Sequence, residues 1–373
     1  MVNPDVSRRQ ALRLLAQVGA AAAVVPVAAG RESLRISDTK PLGEIAASRG
    51  ILFGTAFDAD MLTEPKVREL YLHHARIFTA DNFMKFGSLR PNEGLADFTF
   101  ADKILDLATQ HNIPVRGHNL IWNEWNPDWV RKLSSMRAEY WLDRHIDEVV
   151  GHYAGKLHSW DVINEPLWPQ HGLAGGYRNG PWYAAMGEDY VLRAMRRARA
   201  ADPKGKFVIN ESGPEWEDMW GPTKPFRDGM LRIVDEIQQA GIGLDAVGLQ
   251  CHWFPEFRFD PDRFRDYLRE LASHGVAIYL TELDVGDGSL KGSTAVRDAE
   301  VARRYEQLIS AALKETKVEV IQTWELTDGA SWLRSEPKQF GPHGRLPRPL
   351  PFDDHFQPKA AYHAIAKILA PAS

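Results

Sequence analysis

The segments HSWDVINE (158–165) and VAIYLTELD (276–284) decide the fold class of this chain. Each is a short, largely apolar run rich in β-branched residues, and each ends in acidic residues, Glu165 in the first and Glu282 with Asp284 in the second. A strand that is apolar along most of its length is typical of a parallel sheet covered on both faces. A polar group where such a strand ends indicates a functional edge of the sheet.

Six further runs of the same kind lie along the chain, and each of the eight is followed by a helical pattern. The other strand-like runs are ILFGTAF (51–57), RIFTADN (76–82), PVRGHNLIW (114–122), KFVINES (206–212), DAVGLQCH (245–252) and EVIQTWEL (319–326). The helical patterns cover 65–75, 101–111, 136–154, 188–201, 225–240, 262–274, 297–315 and 358–369. Eight alternating strand–helix units predict an α/β protein with a single (β/α)8 TIM barrel.

The composition narrows the class of protein. The chain has 373 residues, of which 44% are hydrophobic and 25% charged, as in an ordinary folded protein. Its only cysteine is Cys251, which excludes an internal disulfide and any zinc site built from several cysteines. A formal net charge of −5 argues against nucleic acid as a main partner. The 12 tryptophans suit a surface that stacks flat ligands.

The first 29 residues have the pattern of an export signal. Paired arginines, Arg8 and Arg9, precede an Ala/Val-rich stretch that runs from Leu14 to Ala29, an order that resembles a twin-arginine signal. The alternative is a short N-terminal helix of the fold. We therefore predict a signal at 1–29 and a barrel at 30–373, with export to the periplasm or the medium. The mature form is expected to lie off the membrane as a monomer.

Polar side chains stand at the C-terminal ends of most predicted strands. The C-terminal ends of a barrel's strands meet at one mouth, where the active sites of this fold lie. Glu165 ends the fourth strand and Glu282 lies near the end of the seventh, so the two carboxylates face one cleft from opposite sides. A pair of opposed carboxylates is what glycoside hydrolysis requires. The whole set is Asp81, Asn82, His118, Asn164, Glu165, Asn210, Glu211, Gln250, His252, Glu282, Asp284 and Trp324.

Seven motifs, in order along the chain, resemble those of glycoside hydrolase family 10, the β-1,4-xylanases. They are ADNFMKF (80–86), RGHNLIW (116–122), WDVINEP (160–166), VGLQCHW (247–253), LTELD (280–284), TWELTDGASW (323–332) and PFDDHFQPKAAYHAI (351–365). The resemblance implies a retaining endo-β-1,4-xylanase that acts on xylan or xylo-oligosaccharides without a cofactor or metal.

The resemblance also implies roles for the catalytic residues. Glu165 would be the general acid/base and Glu282 the nucleophile, while His252, with Asp284 behind it, would hold the nucleophile. Asn164 would bind the sugar 2-hydroxyl, a contact that strengthens in the transition state.

The remaining matches would bind substrate. The hydroxyl-binding set on the non-reducing side would be Asp81, Asn82 and Lys85, and polar wall residues would be His118 and Gln250. Aromatic walls would come from Trp122, Trp324 and Trp332, of which the last two crowd C5 and favour xylose over glucose. The chain departs from the family at Asp81, Asn123, Glu211-Ser212 and Glu325, which leaves chain-length preference open.

Three other functions compete with this interpretation. The same scaffold would suit cleavage of another β-1,4-glycan, a mixed-linkage glucan or an aryl glycoside. A sugar-binding barrel without catalysis is disfavoured because both glutamates are present. A metal-dependent hydrolase using His118 and His252 is disfavoured because the sequence has no His-x-His after strand one and no His-Glu-x-x-His helix.

Overall fold

The computed structural model describes residues 35–218, 222–315, 318–335 and 345–371. The predicted export signal therefore lies outside the described residues. The described chain forms a compact unit that begins at Arg35. In this part of the chain, no helix has the length and apolar character needed to cross a membrane.

Eight parallel strands close into a barrel, which confirms the predicted fold. Each strand pairs in parallel with the next in sequence, and β8 pairs with β1 to complete the ring. The strands are β1 (Leu52–Phe57), β2 (Phe78–Ala80), β3 (Val115–Trp122), β4 (Ser159–Asn164), β5 (Phe207–Glu211), β6 (Ala246–Leu249), β7 (Ala277–Val285) and β8 (Val318–Thr323).

One major helix follows each strand. These are α1 (Pro65–His74), α2 (Thr99–Gln110), α3 (Ser135–Tyr153), α4 (Asp189–Ala201), α5 (Lys224–Gln239), α6 (Pro261–Ser273), α7 (Thr294–Glu315) and α8 (Ala360–Leu369). Shorter α-helices lie at Leu42–Ala47, Asp60–Thr63, Phe86–Leu89, Asp128–Arg131 and Pro181–Met186. Single 3₁₀ turns lie at Ile36–Asp38, Pro169–His171, Ala174–Gly176, Asp328–Ala330 and Trp332–Arg334.

The helices bury one apolar face each against the barrel. In α6 this face carries Phe264, Tyr267, Leu268 and Leu271, as the spacing predicts. The N-terminus of α6 is capped by Asp260, whose side chain accepts hydrogen bonds from the backbone N–H groups of Asp262 and Arg263. Such caps and apolar stripes fix where each helix begins and which way the following loop leaves.

The barrel wall is packed so closely that position 117 has no room for a side chain. Gly117 in β3 faces the ring of Trp160 in β4, and a Cβ at Gly117 would lie 2.2 Å from that ring. Trp160 is buried in the core. This packing sets the distance between β3 and β4, the two strands that carry Trp122 and Asn164 to the mouth.

The sixth strand is interrupted just before the mouth. β6 ends at Leu249, and the chain resumes as a short strand at His252–Trp253 that pairs with the end of β7. Between them Cys251 has a φ of +63°, and its N–H donates to the Glu215 carboxylate at 2.8 Å. Cys251 is buried, and its left-handed backbone departs from the alternation of a regular strand.

Candidate active site

Glu165 lies immediately after β4, with a φ of +48° that turns it out of the strand direction. Its N–H donates to the carbonyl of Asn210 on β5 at 2.8 Å, which ties this turn to the neighbouring strand. The Trp122 indole donates to Glu165 Oε2 at 3.2 Å, and the Gln250 amide donates to Oε1 at 3.0 Å. Both carboxylate oxygens are thus held by side chains from outside β4, one on β3 and one directly after β6.

Arg178 also holds Glu165. Its Nε donates to the Glu165 backbone carbonyl at 3.0 Å, and its Nη2 lies 2.9 Å from Glu165 Oε2. The guanidinium also pairs with Glu124 at 2.6 Å and lies over the Trp168 ring, 4.5 Å from its centroid. Arg178 comes from the irregular loop that follows β4, and no sequence motif indicated it.

Glu282 on β7 is buried and keeps both oxygens occupied. The Asn210 amide donates to Oε1 at 2.6 Å, and His252 Nε2 lies 3.2 Å from Oε2. Burial by itself raises the pKa of Glu282. The hydrogen bond from His252, the charges of His118 and His252, and the Asn210 amide outweigh it and lower that pKa below its ordinary value. The arrangement keeps this carboxylate ionised.

His252 is placed between two carboxylates. Its Nδ1 lies 3.0 Å from Asp284 Oδ1, and the Trp332 indole donates to the other oxygen of Asp284 at 2.6 Å. Burial lowers the pKa of His252, but the charge of Asp284 and the hydrogen bonds to Asp284 and Glu282 raise it to about 10. The imidazole is therefore protonated near neutral pH and donates toward Glu282.

Three amide side chains join the two glutamates. The Asn210 amide donates to Asn164 Oδ1 at 2.9 Å as well as to Glu282, and Thr281 donates to Asn210 Oδ1 at 2.7 Å. The Gln250 amide lies 3.4 Å from Asn164 Oδ1 and 3.0 Å from Glu165. One hydrogen-bonded network thus runs from one carboxylate to the other. Asn210 is its central member; the sequence indicated it as a strand-end polar residue but gave it no role.

His118 lies deeper in the barrel. Its Nδ1 is 2.8 Å from Asp161 Oδ2, and the other oxygen of Asp161 is bound by the buried Arg116. The Arg116–Asp161 ion pair fixes the imidazole of His118, and the imidazole centroid lies 5.3 Å from that of Trp324. His118 therefore reaches the catalytic region as part of its wall.

The polar set after β2 forms its own cluster. Lys85 Nζ lies 3.1 Å from Asp81 Oδ1, and the Asn82 amide donates to Asp81 at 2.9 Å and to Asp58 at 2.8 Å. Burial and the nearby Asp81 charge raise the pKa of Asp58 to about 6. The structure brings the three predicted residues together and adds Asp58 to them.

Indole rings connect this polar cluster to the catalytic region. The Lys85 ammonium lies 5.7 Å from the ring centroid of Trp122 and 5.9 Å from that of Trp324. Trp332 lies 5.3 Å from His252 on the other side. All three predicted wall tryptophans therefore line the barrel mouth, whereas Trp216, another indole near this end, is buried against Trp253.

Two departures from the expected motifs have structural explanations. Glu211 is buried with its oxygens on the N–H groups of Leu167 and Ser212, so it fixes the loop after Glu165. Glu325 has a φ of +73°, and its carboxylate accepts a hydrogen bond from Tyr71 of α1 at 2.6 Å. Its side chain therefore points to the helix layer and does not enter the cleft.

The described residues contain no group of three or more His, Cys, Asp or Glu side chains placed to hold a metal ion. His118 and His252, the candidates for such a group, are each directed at carboxylates that they hydrogen-bond or pair with.

The family model of glycosyl hydrolase family 10 matches residues 41–368. The chain belongs to glycosyl hydrolase family 10. The match includes the eight strands, and the polar and aromatic residues described above lie within it.

Other members of family 10 resemble the chain along most of its length. It is 32% identical over 304 residues to a β-1,4-xylanase of Dictyoglomus thermophilum, covering 79% of this chain and 82% of that one. The solved structure of xylanase 10B from Thermotoga petrophila, in complex with xylobiose, superposes with a TM-score of 0.78 at 28% identity. That alignment covers 88% of this chain and 97% of the other.

Some family 10 relatives are much longer. The endo-1,4-β-xylanase C of Paenibacillus barcinonensis is 31% identical over 361 residues, which is 88% of this chain but only 32% of that protein. The chain thus spans about a third of the length of that relative.

Proposed function

We propose that the chain is a retaining endo-β-1,4-xylanase, exported from the cell, that hydrolyses internal bonds of xylan by double displacement. The observation that carries this proposal is the pair of Glu165, directly after β4, and Glu282 on β7, which are joined by one network. The family of the chain and the xylanases that resemble it support xylan as the substrate.

In the first step, an oxygen of Glu282 attacks the anomeric carbon of the bound sugar. The glycosidic C–O bond breaks, and Glu165 gives its proton to the leaving oxygen. Glu282 suits the nucleophile because its pKa is lowered and both of its oxygens are aimed by His252 and Asn210. A covalent glycosyl-enzyme results.

In the second step, water replaces the enzyme at the same carbon. Glu165, now ionised, takes a proton from the water, and the bond from the sugar to Glu282 breaks. The contacts of Glu165 with Trp122, Gln250 and Arg178 keep its carboxyl group in one place through both steps. Asn164 lies between the two glutamates, where it would bind the 2-hydroxyl.

The tryptophans support xylose as the preferred sugar. Trp324 and Trp332 both lie near His252, with ring centroids 6.3 Å and 5.3 Å from that of the imidazole. Two bulky rings beside the nucleophile's partner leave little room for an exocyclic CH₂OH group. We expect hydrolysis of xylan to be much faster than hydrolysis of carboxymethylcellulose.

The roles of the two glutamates can be tested with two substrates, xylan, whose leaving group needs a proton, and an aryl β-xyloside, whose leaving group does not. We expect Glu282→Ala to lose activity on every substrate, and Glu165→Ala to lose it on xylan. Glu165→Ala should keep much more activity on an aryl β-xyloside whose leaving group needs no proton. Glu306→Ala, in an exposed pair between α7 and α8, is the control and should match the unaltered protein.

Two results would overturn the proposal. One is normal turnover of xylan by either active-site variant. The other is the appearance of the α-anomer first when the products from xylan are followed by NMR, because retention requires the β-anomer.

A further inference from the structure

Trp125 is an indole that the predicted substrate site does not use. It lies in the loop after β3, three residues beyond Trp122, and 41% of its surface is exposed. Among the described residues it is the only tryptophan in the group of large apolar side chains that are exposed. Exposed indole is costly in water because so much apolar area is left uncovered.

The backbone of the loop after β3 fixes the Trp125 ring in its exposed position. Trp125 has a φ of +35°, a backbone conformation that residues with a side chain rarely adopt. The next side chain, Asn126, is buried and donates to the backbone carbonyls of Trp122 and Glu124. The turn is therefore fixed from inside, and the exposed ring has a defined direction.

The ring is aligned with the proposed substrate cleft. Its plane lies within 15° of that of Trp122, with the two centroids 6.2 Å apart. Trp122 donates to Glu165, so Trp125 is the next aromatic ring outward from the catalytic pair. The Lys85 ammonium, which binds Asp81, lies 5.4 Å from the Trp125 centroid.

We propose that Trp125 is a sugar-stacking platform that extends the cleft outward, next to Asp81, Asn82 and Lys85. A pyranose presents a C–H face that packs on an indole and hydroxyls at its rim that hydrogen-bond. The exposed ring supplies the first surface, and the carboxylate, amide and ammonium beside it supply partners for the second. The ligand is a neutral β-linked sugar unit of the chain, two or more units from the bond that is cleaved.

This inference rests on the proposed xylanase function and adds a chain-length preference to it. A platform away from the reacting bond contributes only when the substrate is long enough to reach it. Removal of the ring should therefore affect long substrates and spare short ones.

The test compares Trp125→Ala with the unaltered protein on substrates of increasing length. On xylan and on xylo-oligosaccharides of four or more units, we expect kcat/KM to fall about tenfold, as for the loss of one apolar contact. The effect should appear mainly in KM, because the ring binds ground state and transition state alike. On an aryl β-xyloside with one sugar, kcat/KM should be unchanged. Trp125→Phe should recover most of the loss.

Tyr140→Ala is the matched control, since Tyr140 is an exposed aromatic residue on α3. It should leave all substrates unaffected. Binding of xylohexaose to the Glu282→Ala protein, measured by calorimetry with and without Trp125→Ala, separates affinity from turnover. Two results would contradict the proposed role of Trp125. One is an equal loss of kcat/KM on long and short substrates, and the other is an unchanged affinity for xylohexaose. If the unaltered protein fails to hydrolyse xylan, it is the proposed function that fails.

Discussion

At the scale of single residues, the charge of Glu282 depends on His252. The imidazolium both hydrogen-bonds the carboxylate and places a positive charge beside it, and these two effects lower the pKa of a group that burial alone would raise. A nucleophile must be ionised to attack, so the acid limb of the kcat/KM profile follows the pKa of this carboxyl group in the free enzyme.

His252→Asn should move that acid limb to higher pH. The substitution removes the positive charge, so the pKa of Glu282 rises and the carboxylate is protonated at pH values where it is now ionised. The measurement is kcat/KM for an aryl β-xyloside against pH. His363→Asn, on the exposed face of α8, is the control and should leave the profile in place. If His252→Asn lowers kcat/KM at every pH without moving the acid limb, the pKa of Glu282 does not depend on His252.

The site residues that the sequence indicates lie at strand ends, whereas those that it does not indicate lie in loops. Glu165, Glu282 and their neighbours stand at strand ends, and a regular barrel brings strand ends together, so their assembly at one mouth was predictable. Arg178 and Trp125 come from irregular loops, whose course depends on individual side-chain contacts. These are the Arg178–Glu124 ion pair for the first and the Asn126 hydrogen bonds to its own loop for the second. No periodicity places such residues.

At the scale of elements, the predicted strands and helices agree with the structure to within about three residues at each end. The exception is the sixth strand, which was predicted to run unbroken through 252 and instead breaks at Cys251. A left-handed cysteine has no local sequence signal. It depends on Glu215, which is distant in sequence and accepts its N–H.

Gly117→Ala should destabilise the protein by about 1–3 kcal/mol, the usual cost of overpacking. The new methyl group would meet the buried Trp160 ring at 2.2 Å, so the ring or the strand would have to shift. Gly151→Ala is the matched control, because Gly151 lies in α3 with open space around it. It should stabilise by about 0.5–1 kcal/mol. Urea unfolding of both variants gives the two values, and equal stability would contradict the packing.

At the scale of the whole molecule, the barrel is complete within the described residues. All eight strands pair within the unit that begins at Arg35, where β8 pairs with β1 and closes the ring. The predicted boundary between signal and barrel at residue 29 stays a prediction, as does twin-arginine export, because residues 1–34 are not described.

A chain that begins at Arg35 should fold and hydrolyse xylan as the full chain does. Every residue placed at the barrel mouth lies after position 57, and the contacts described for these residues are made by residues from 35 onward. Melting temperature and kcat/KM on xylan, compared with the full chain, test this. A loss of either by more than experimental error would show that the first 34 residues contribute to the folded barrel.

The interrupted sixth strand also provides a built-in reporter. Cys251 is the only thiol of the chain, it is buried between Gln250 and His252, and burial raises its pKa well above the usual value. A maleimide dye can therefore attach only during those moments when the barrel mouth opens. The labelling rate would then report how often the barrel mouth opens. A bound oligosaccharide that slows the labelling would show how strongly the ligand stabilises the closed mouth.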